Sequence, residues 1–212
     1  MKVSIMGEMK KTILLLDTAG DILRAGLFFK GSLKTVLRKG ADFSGDTLIF
    51  DASRRLLSQV ALSLNDLDAI AVSNGPGRFT GIRMGMTFAS ILSSQLKIPA
   101  LAISRLEALA YGSLLGRVCP VSMGYRGERY YQLFNHSSVR RAPKALSKPS
   151  WSPEADWDNK KKEFESDGFQ IITRDAEIDD FLSASLFFLS QKKTPPFQPL
   201  YLKAAGYEKK AK

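Results

Sequence analysis

Between residues 69 and 85 the chain runs from an unbroken apolar strand through a proline-glycine turn into a helix with no spacer, and few folds accommodate that. Ala69-Ile70-Ala71-Val72-Ser73 lacks the polar alternate positions of a half-solvated strand, so both of its faces are covered. It leads directly into Asn74-Gly75-Pro76-Gly77, and Gly81 and Gly85 follow. A buried strand, a tight turn and a helix make one βα unit of a layered α/β fold. Two uses of the turn are open. Backbone amides at the start of the helix, around Gly75, Gly77, Thr80 and Gly81, can face an anion such as a phosphate. Alternatively, the glycines let helix and strand backbones approach closely. The spacing, G-x-G-x-x-x-G, is neither a Walker loop nor the dinucleotide fingerprint.

The flanking segments extend the unit. Ile13 to Asp17 is a short apolar strand ended by Thr18-Ala19-Gly20-Asp21. Ala25 to Lys30 and Leu33 to Arg38 form two more strands joined at Lys30-Gly31-Ser32. Asp46 is placed to cap a helix whose Leu48, Ala52, Leu56, Val60 and Leu64 recur every four positions. A second helix covers Thr80 to Leu96, a strand Ala100 to Ile103, and Ser104-Arg105-Leu106-Glu107 reads as a capping box opening a third helix. The order βββαβαβα, a hairpin meander continued by two right-handed crossovers, gives a mixed sheet with helices on its faces, the ribonuclease H-like plan.

The second half is less regular. Strands are expected near Val118 to Ser122, Tyr130 to Phe134 and Gln170 to Thr173, and a helix from Asp175 to Gln191. Residues 140–168 read as loop, with Trp151 and Trp157 anchoring it to the lobe. The expected division is a first lobe at 12–110, a smaller second lobe at 111–206, and flexible ends at 1–11 and 207–212.

Several chemistries fail by counting. With one cysteine, Cys119, and one histidine, His136, the chain can make neither an internal disulfide nor a zinc site from those ligands, and H-E-x-x-H is impossible. Cys119 is expected to be a buried, inert thiol and His136 a surface residue of a polar turn. Asp156 and Asp158, and Asp179 and Asp180, read as solvated charge, since adjacent carboxylates diverge. Asp17 and Thr18, ending the first strand, either face a phosphate-bound metal ion or form a turn that satisfies its own backbone. No apolar run is long enough to span a bilayer, and a cytoplasmic location is expected. The formal charge is +10, and each half of the chain carries +5, so no lobe stands out as a polyanion footprint. The second helix is apolar on two sides: Ile82, Met86, Ala89, Leu92 and Leu96 form one stripe, and Met84, Phe88 and Ile91 another. It needs two partners, the sheet and either a neighbouring helix or another protein.

The quoted segments resemble the TsaB (YeaZ) family, bacterial accessory proteins of tRNA threonylcarbamoyladenosine biosynthesis. The likeness rests on Ile13 to Ala19, Ile70 to Gly85, Ala102-Ile103-Ser104, Gly127-Glu128, and a later Pro199-Leu200-Tyr201-Leu202-Lys203 similar to the family's Pro-x-Tyr-Leu-Arg ending. The resemblance implies a two-lobed actin-like fold of the sugar kinase, heat-shock ATPase and actin superfamily, with a reduced second lobe. It implies an accessory rather than a catalytic role, set against an older peptidase label, with the paralogous enzyme TsaD and the ATPase TsaE as partners, a homodimer when alone, and tRNA met through the complex. No firm cofactor follows for the chain itself; ATP or ADP with Mg²⁺ belongs to the partner complex. The helices near 47–64 and 80–96 would dock helix to helix through Leu48, Ala52, Arg55, Met84, Thr87, Phe88 and Ile91. Asp17, Thr18, Gly75, Gly77, Thr80 and Gly81 would be what remains of a nucleotide cleft. The chain departs from the family pattern at Gly20 and Arg24, at Ser44-Gly45 where the first helix begins, at Arg78 in place of the loop serine, and at Met123 in place of an acidic residue. The competing functions are a stand-alone nucleotide-binding phosphotransferase of the same fold and a tRNA-binding module.

Overall fold

A computed structural model describes residues 11–40, 48–124, 127–138 and 141–203. Asp46, Ser44-Gly45, residues 1–10 and the tail at 207–212 lie outside the described residues.

The meander is β1 (Ile13–Asp17), β2 (Ile22–Phe29) and β3 (Ser32–Gly40). The hairpin turns at Lys30 and Gly31, both at positive φ, 48° and 78°. Helix α1 (Leu48–Ser58), β4 (Ala69–Ser73), α2 (Phe79–Leu96), β5 (Ala100–Ile103) and α3 (Arg105–Gly112) follow. The first sheet runs β3-β2-β1-β4-β5, antiparallel through the meander and parallel from β1 outward. Its apolar runs are continuous because both faces are covered. Leu14 and Leu16 join Ile70, Val72, Leu56 and Ile82 in a core beneath α1 and α2, whereas Ile13 and Leu15 join Ala69, Ala71 and Leu109 on the opposite face.

The second sheet runs β10-β7-β6-β8-β9, with β11 parallel to β6. Its strands are β6 (Gly116–Met123), β7 (Arg129–Tyr131), β8 (Phe134–His136), β9 (Lys144–Ala145), β10 (Ser150–Ser152) and β11 (Gln170–Ile172). The single strand expected over Tyr130 to Phe134 is broken at Gln132-Leu133, so that β7 and β8 pair with opposite ends of β6. Helix α5 (Ile178–Ser190) crosses back onto the first sheet, burying Ile178, Phe181, Leu182 and Leu186 against Ile13, Leu15 and Phe28.

Four further expectations are corrected. Residues 140–168 are not loop: besides β9 and β10 they hold helix α4 (Glu154–Ser166). That helix buries only Trp157 and Phe164, one side chain every second turn among lysines, too narrow a stripe to register as amphipathic. Trp157 does anchor the segment, but Trp151 stands 38% exposed. His136 is buried, paired opposite Gly116 on β8. Asp180 is buried too: both its oxygens accept from Arg174, at 2.6 and 2.7 Å, and Oδ2 also accepts the amide of Glu177 at the start of α5. Last, α1 ends at Ser58; Val60 and Leu64 lie beyond it yet still pack on the core it covers. Cys119 is fully buried on β6, and burial pushes its thiol up to about 12.

Candidate functional site

At the carboxyl ends of β1 and β4 the glycine loop packs closely on the turn that follows β1. Arg78 donates its amide to the carbonyl of Ala19 at 2.7 Å. A Cβ added at Gly77 would overlap the carbonyl of Ala19, at Gly81 that of Thr18, and at Gly85 the hydroxyl of Thr18. The three glycines are therefore there for approach: α2 begins against the turn that follows β1. The amides of Thr18 and Ala19 are occupied as well, donating to Ser73 Oγ at 3.1 and 3.3 Å. Close packing, one of the two uses left open by the sequence, accounts for Gly77, Gly81 and Gly85. Thr80 is exposed, and Gly75 is buried.

Asp17 is fully buried. Its Oδ1 accepts the amide of Ala19 at 3.1 Å, and its Oδ2 lies 3.2 Å from Arg105 Nε and 4.0 Å from Arg24 Nη1. Both arginines are themselves buried, and each meets one oxygen of Asp175: Arg24 Nη2 at 3.0 Å and Arg105 Nη2 at 3.1 Å. Arg105 Nη1 also donates to Ser122 Oγ at 2.9 Å, and Arg24 Nε lies 3.6 Å from Glu177. A hydrated Mg²⁺ bound through this carboxylate would have to share it with two guanidinium groups, and among the described residues no cluster of three ligating side chains stands beside it. Asp17 does not fit a metal-holding role here; it is the anchor of a charge network joining β1, β2, α3, β6 and the approach to α5. Arg24 stood out in the sequence, but nothing in sequence order brings Arg105 and Asp175 to Asp17.

The box expected at the start of α3 is half formed. Ser104 Oγ accepts the amide of Leu106 at 3.2 Å, but Glu107 does not return the bond. Its carboxyl is pushed up to about 7 by burial, and it in turn raises Tyr111 beyond the effect of that residue's own burial.

The outer surface of α1 and α2 divides the expected docking residues three ways. Arg55, Thr87 and Ile91 are exposed, Ile91 by 57%. Leu48, Met84 and Phe88 are half-buried and also touch the core. Ala52 is buried at 2% beneath α1, so it faces the sheet and offers nothing to a partner. Phe50, absent from the expected set, is 39% exposed beside Arg54 on α1. An aromatic on the polar side of an amphipathic helix was the available signal.

A strap from the end of the chain crosses the glycine loop. Leu200 donates its amide to the carbonyl of Asn74 at 2.7 Å, and Asn74 Nδ2 donates to the carbonyl of Gln198 at 3.0 Å. A Cβ on Gly75, at φ 115°, would come within 2.7 Å of the carbonyl of Leu200. Tyr201 packs on Phe79, and Lys203 reaches Glu128 on the second sheet's side. No helix among the described residues is long and apolar enough to cross a membrane.

Residues 47–150 match the family model for TsaD, tRNA N6-adenosine threonylcarbamoyltransferase. The tRNA threonylcarbamoyladenosine biosynthesis protein TsaB of Haemophilus influenzae is 34% identical over 99 residues, 47% of this chain and 42% of that protein. Its namesake in Bacillus subtilis is 32% identical over 133 residues, 60% of this chain and 56% of that one. The chain thus spans about half the length of the curated relatives it matches. The solved structure of YeaZ from Pseudomonas aeruginosa superposes with a TM-score of 0.73 at 20% identity, covering 91% of this chain and all of that one.

Proposed function

We propose that this chain, which is similar to TsaB and shares the fold of YeaZ, is an actin-like, non-catalytic docking subunit in tRNA threonylcarbamoyladenosine biosynthesis. It seats the catalytic paralogue TsaD on the outer face of α1 and α2, or a second copy of itself when TsaD is absent; TsaE joins the TsaD complex, and nucleotide with Mg²⁺ is used there.

One observation carries this reading: α2 is apolar on its outer side as well as its inner one. Met84, Phe88 and Ile91 lie in one line along it, with the small exposed Thr87 and Ser90 between them and Phe50 standing out on the neighbouring helix. A helix holds a large aliphatic side chain in water at little benefit to its own fold, and a line of them matches the apolar anchors of helix-in-groove recognition. The cleft supports the same division of labour, since its one candidate metal carboxylate is committed to Arg24 and Arg105.

The test is Ile91→Glu. Met84 and Phe88 touch the core, so a charge at either would disturb the fold along with the docking face; Ile91 is free of that ambiguity. A buried unpaired carboxylate at an interface centre costs about 2 kcal/mol or more, a loss of at least about thirtyfold in affinity. Size-exclusion chromatography with light scattering, on the chain alone and mixed with TsaD, reads it. Full retention of the mixed complex by a folded Ile91→Glu protein would refute this choice of face.

A further inference from the structure

The charges on α1 and α2 are nearly all of one sign. Asp51, Arg54, Arg55 and Arg83 are the charged residues of the two helices, all of them exposed, and α2 carries no carboxylate. Elsewhere arginines are matched: Arg24 and Arg105 meet Asp17 and Asp175, and Arg174 meets Asp180. Among the described residues no carboxylate stands within ion-pair distance of Arg54, Arg55 or Arg83, not even Asp51 one turn before Arg55. Two of the three lie over aromatic rings instead. Arg54 Cζ is 5.7 Å from the ring of Phe50, and Arg83 Cζ is 5.3 Å from that of Phe79. A ring steadies a guanidinium without neutralising it, so the charge stays available to a partner. Arg83 also heads the exposed stripe Arg83, Thr87 and Ser90, which runs beside the apolar line of Met84, Phe88 and Ile91.

We propose that these arginines select the occupant of the face: they admit an acidic protein surface, with carboxylates around an apolar centre, and oppose a second copy of this chain. The inference rests on the proposed docking face and ranks the two occupants offered for it. Carboxylates of a heterologous partner would take the guanidinium groups in charge-assisted, bidentate contacts. Pairing of two copies through the same patch brings the three cations to one seam from both sides, against a single Asp51 from each. Two chains of net charge +10 also repel before they touch. Met84 and Ile91 offer a nucleic acid neither a stacking plane nor a hydrogen bond, so the apolar line asks for a protein. The apolar side chains supply the contact area, and the arginines supply the discrimination and the rate of encounter.

The experiment follows association of the full chain with immobilised TsaD by biolayer interferometry, and self-association by light scattering, at about 50 and about 500 mM NaCl. The proteins are wild type, Arg54→Gln combined with Arg83→Gln, and Ile91→Glu, with circular dichroism of each. The wild-type mixed complex should weaken roughly threefold to tenfold as salt rises over that range. The double arginine variant should associate several-fold more slowly at low salt, keep the wild-type dissociation rate and lose most of the salt dependence. Self-association should move the other way, tightening with salt in wild type and, at low salt, tighter in the double variant than in wild type. Affinity for TsaD that ignores salt, a double variant that associates as fast as wild type, or wild-type self-association that weakens with salt would each overturn the proposal. So would a labelled tRNA that binds wild type and is lost by the double variant while TsaD association stays unchanged, since the arginines would then be a phosphate contact. Ile91→Glu acts on dissociation and separates the two readings. If it releases TsaD while the arginine variant behaves as wild type, the docking face stands and the selection by charge falls; retention of TsaD by Ile91→Glu with slowed association of the arginine variant does the reverse.

Discussion

Replacing Asp17 by Asn separates a structural carboxylate from a catalytic or metal-holding one. The amide is nearly isosteric and can still accept from Ala19, so the perturbation is the loss of one buried negative charge 3.2 Å from Arg105 Nε and 4.0 Å from Arg24 Nη1. Removing one partner of a buried pair costs about 3–5 kcal/mol when the other charge is left alone. Here neither arginine is left alone, because Asp175 holds each through one oxygen at 3.0 and 3.1 Å, and that carboxylate is 51% exposed and already screened by water. The expected cost is therefore about 2–3 kcal/mol, below the full penalty. In urea unfolding, with a slope of about 2–3 kcal/mol/M for a domain of this size, the midpoint should fall by about 1 M at unchanged slope. Asp175→Asn should cost only about 1 kcal/mol. Asp17→Asn combined with Arg105→Met should cost less than the sum of the two single changes, because the second no longer strands a charge. An Asp17→Asn protein as stable as wild type that had lost micromolar affinity for ATP with Mg²⁺ by calorimetry would refute the assignment and restore the phosphotransferase alternative.

Three further outcomes follow from the geometry. Gly81→Ala drives a methyl group into the carbonyl of Thr18, a backbone atom that cannot swing away, and should lower stability by about 3 kcal/mol in the same urea assay; exposed Thr80→Ala should change it by no more than about 0.5 kcal/mol. Glu107 holds its proton more tightly folded, at about 7 against the ordinary 4.5; wild-type stability should therefore fall as pH rises from 4.5 through 7, and Glu107→Gln should remove that slope, gaining up to about 3 kcal/mol on wild type by pH 8. Parallel stability curves for the two proteins would show that Glu107 ionises normally. Cys119, its thiol pushed up to about 12 by burial, should resist an aromatic disulfide reagent at pH 8 in the folded protein and react at once in urea, followed by absorbance.

The centre of the first sheet could be read from sequence because β1 and β4 are buried on both faces and need no partner to declare themselves: Ile13 to Leu16 and Ala69 to Val72 are apolar whatever packs on them. The second sheet could not, since β7 to β11 are two or three residues long and take their pairing from β6 or from one another, which leaves little periodicity to detect. Helix α4 did leave a signal, Pro153 before Glu154 and Asp156 in the first turn, though a stripe of two aromatics among three consecutive lysines masked it. At the site, Asp17 and the glycines were legible as residues with a purpose, but their purpose was set by side chains far away in the chain. Arg105 reaches Asp17 across 88 positions, Asp175 meets Arg105 across 70, and the strap reaches Gly75 from Leu200. Local spacing carries no record of such pairings, so the close packing of the glycines could be recognised only once the fold was known.

Those pairings share a consequence. The glycine loop is held from the β1 side by the Arg78 to Ala19 hydrogen bond and from the strap side by Leu200 and Gln198, while the charge network fixes the end of β1 against α3 and the approach to α5. Each restraint acts at or beside the first turn of α2. A nucleotide-hydrolysing cleft of this topology needs room at that point, whereas a docking helix needs the opposite, because a rigid face pays less conformational entropy when a partner binds. For the proposed docking role, the loop and strap contacts would hold the start of α2, the helix that carries Met84, Phe88 and Ile91, in a fixed place. The order of hydrogen-exchange protection should reflect this, with the amides of Ile82 to Gly85 in α2 as slow as those of β4, and with Leu200→Pro, which deletes the strap's donor to Asn74, accelerating exchange at Ile82 to Gly85 ahead of any change in β1. Uniform acceleration across the first sheet would mean that the strap stabilises the fold as a whole and does not specifically brace the docking helix.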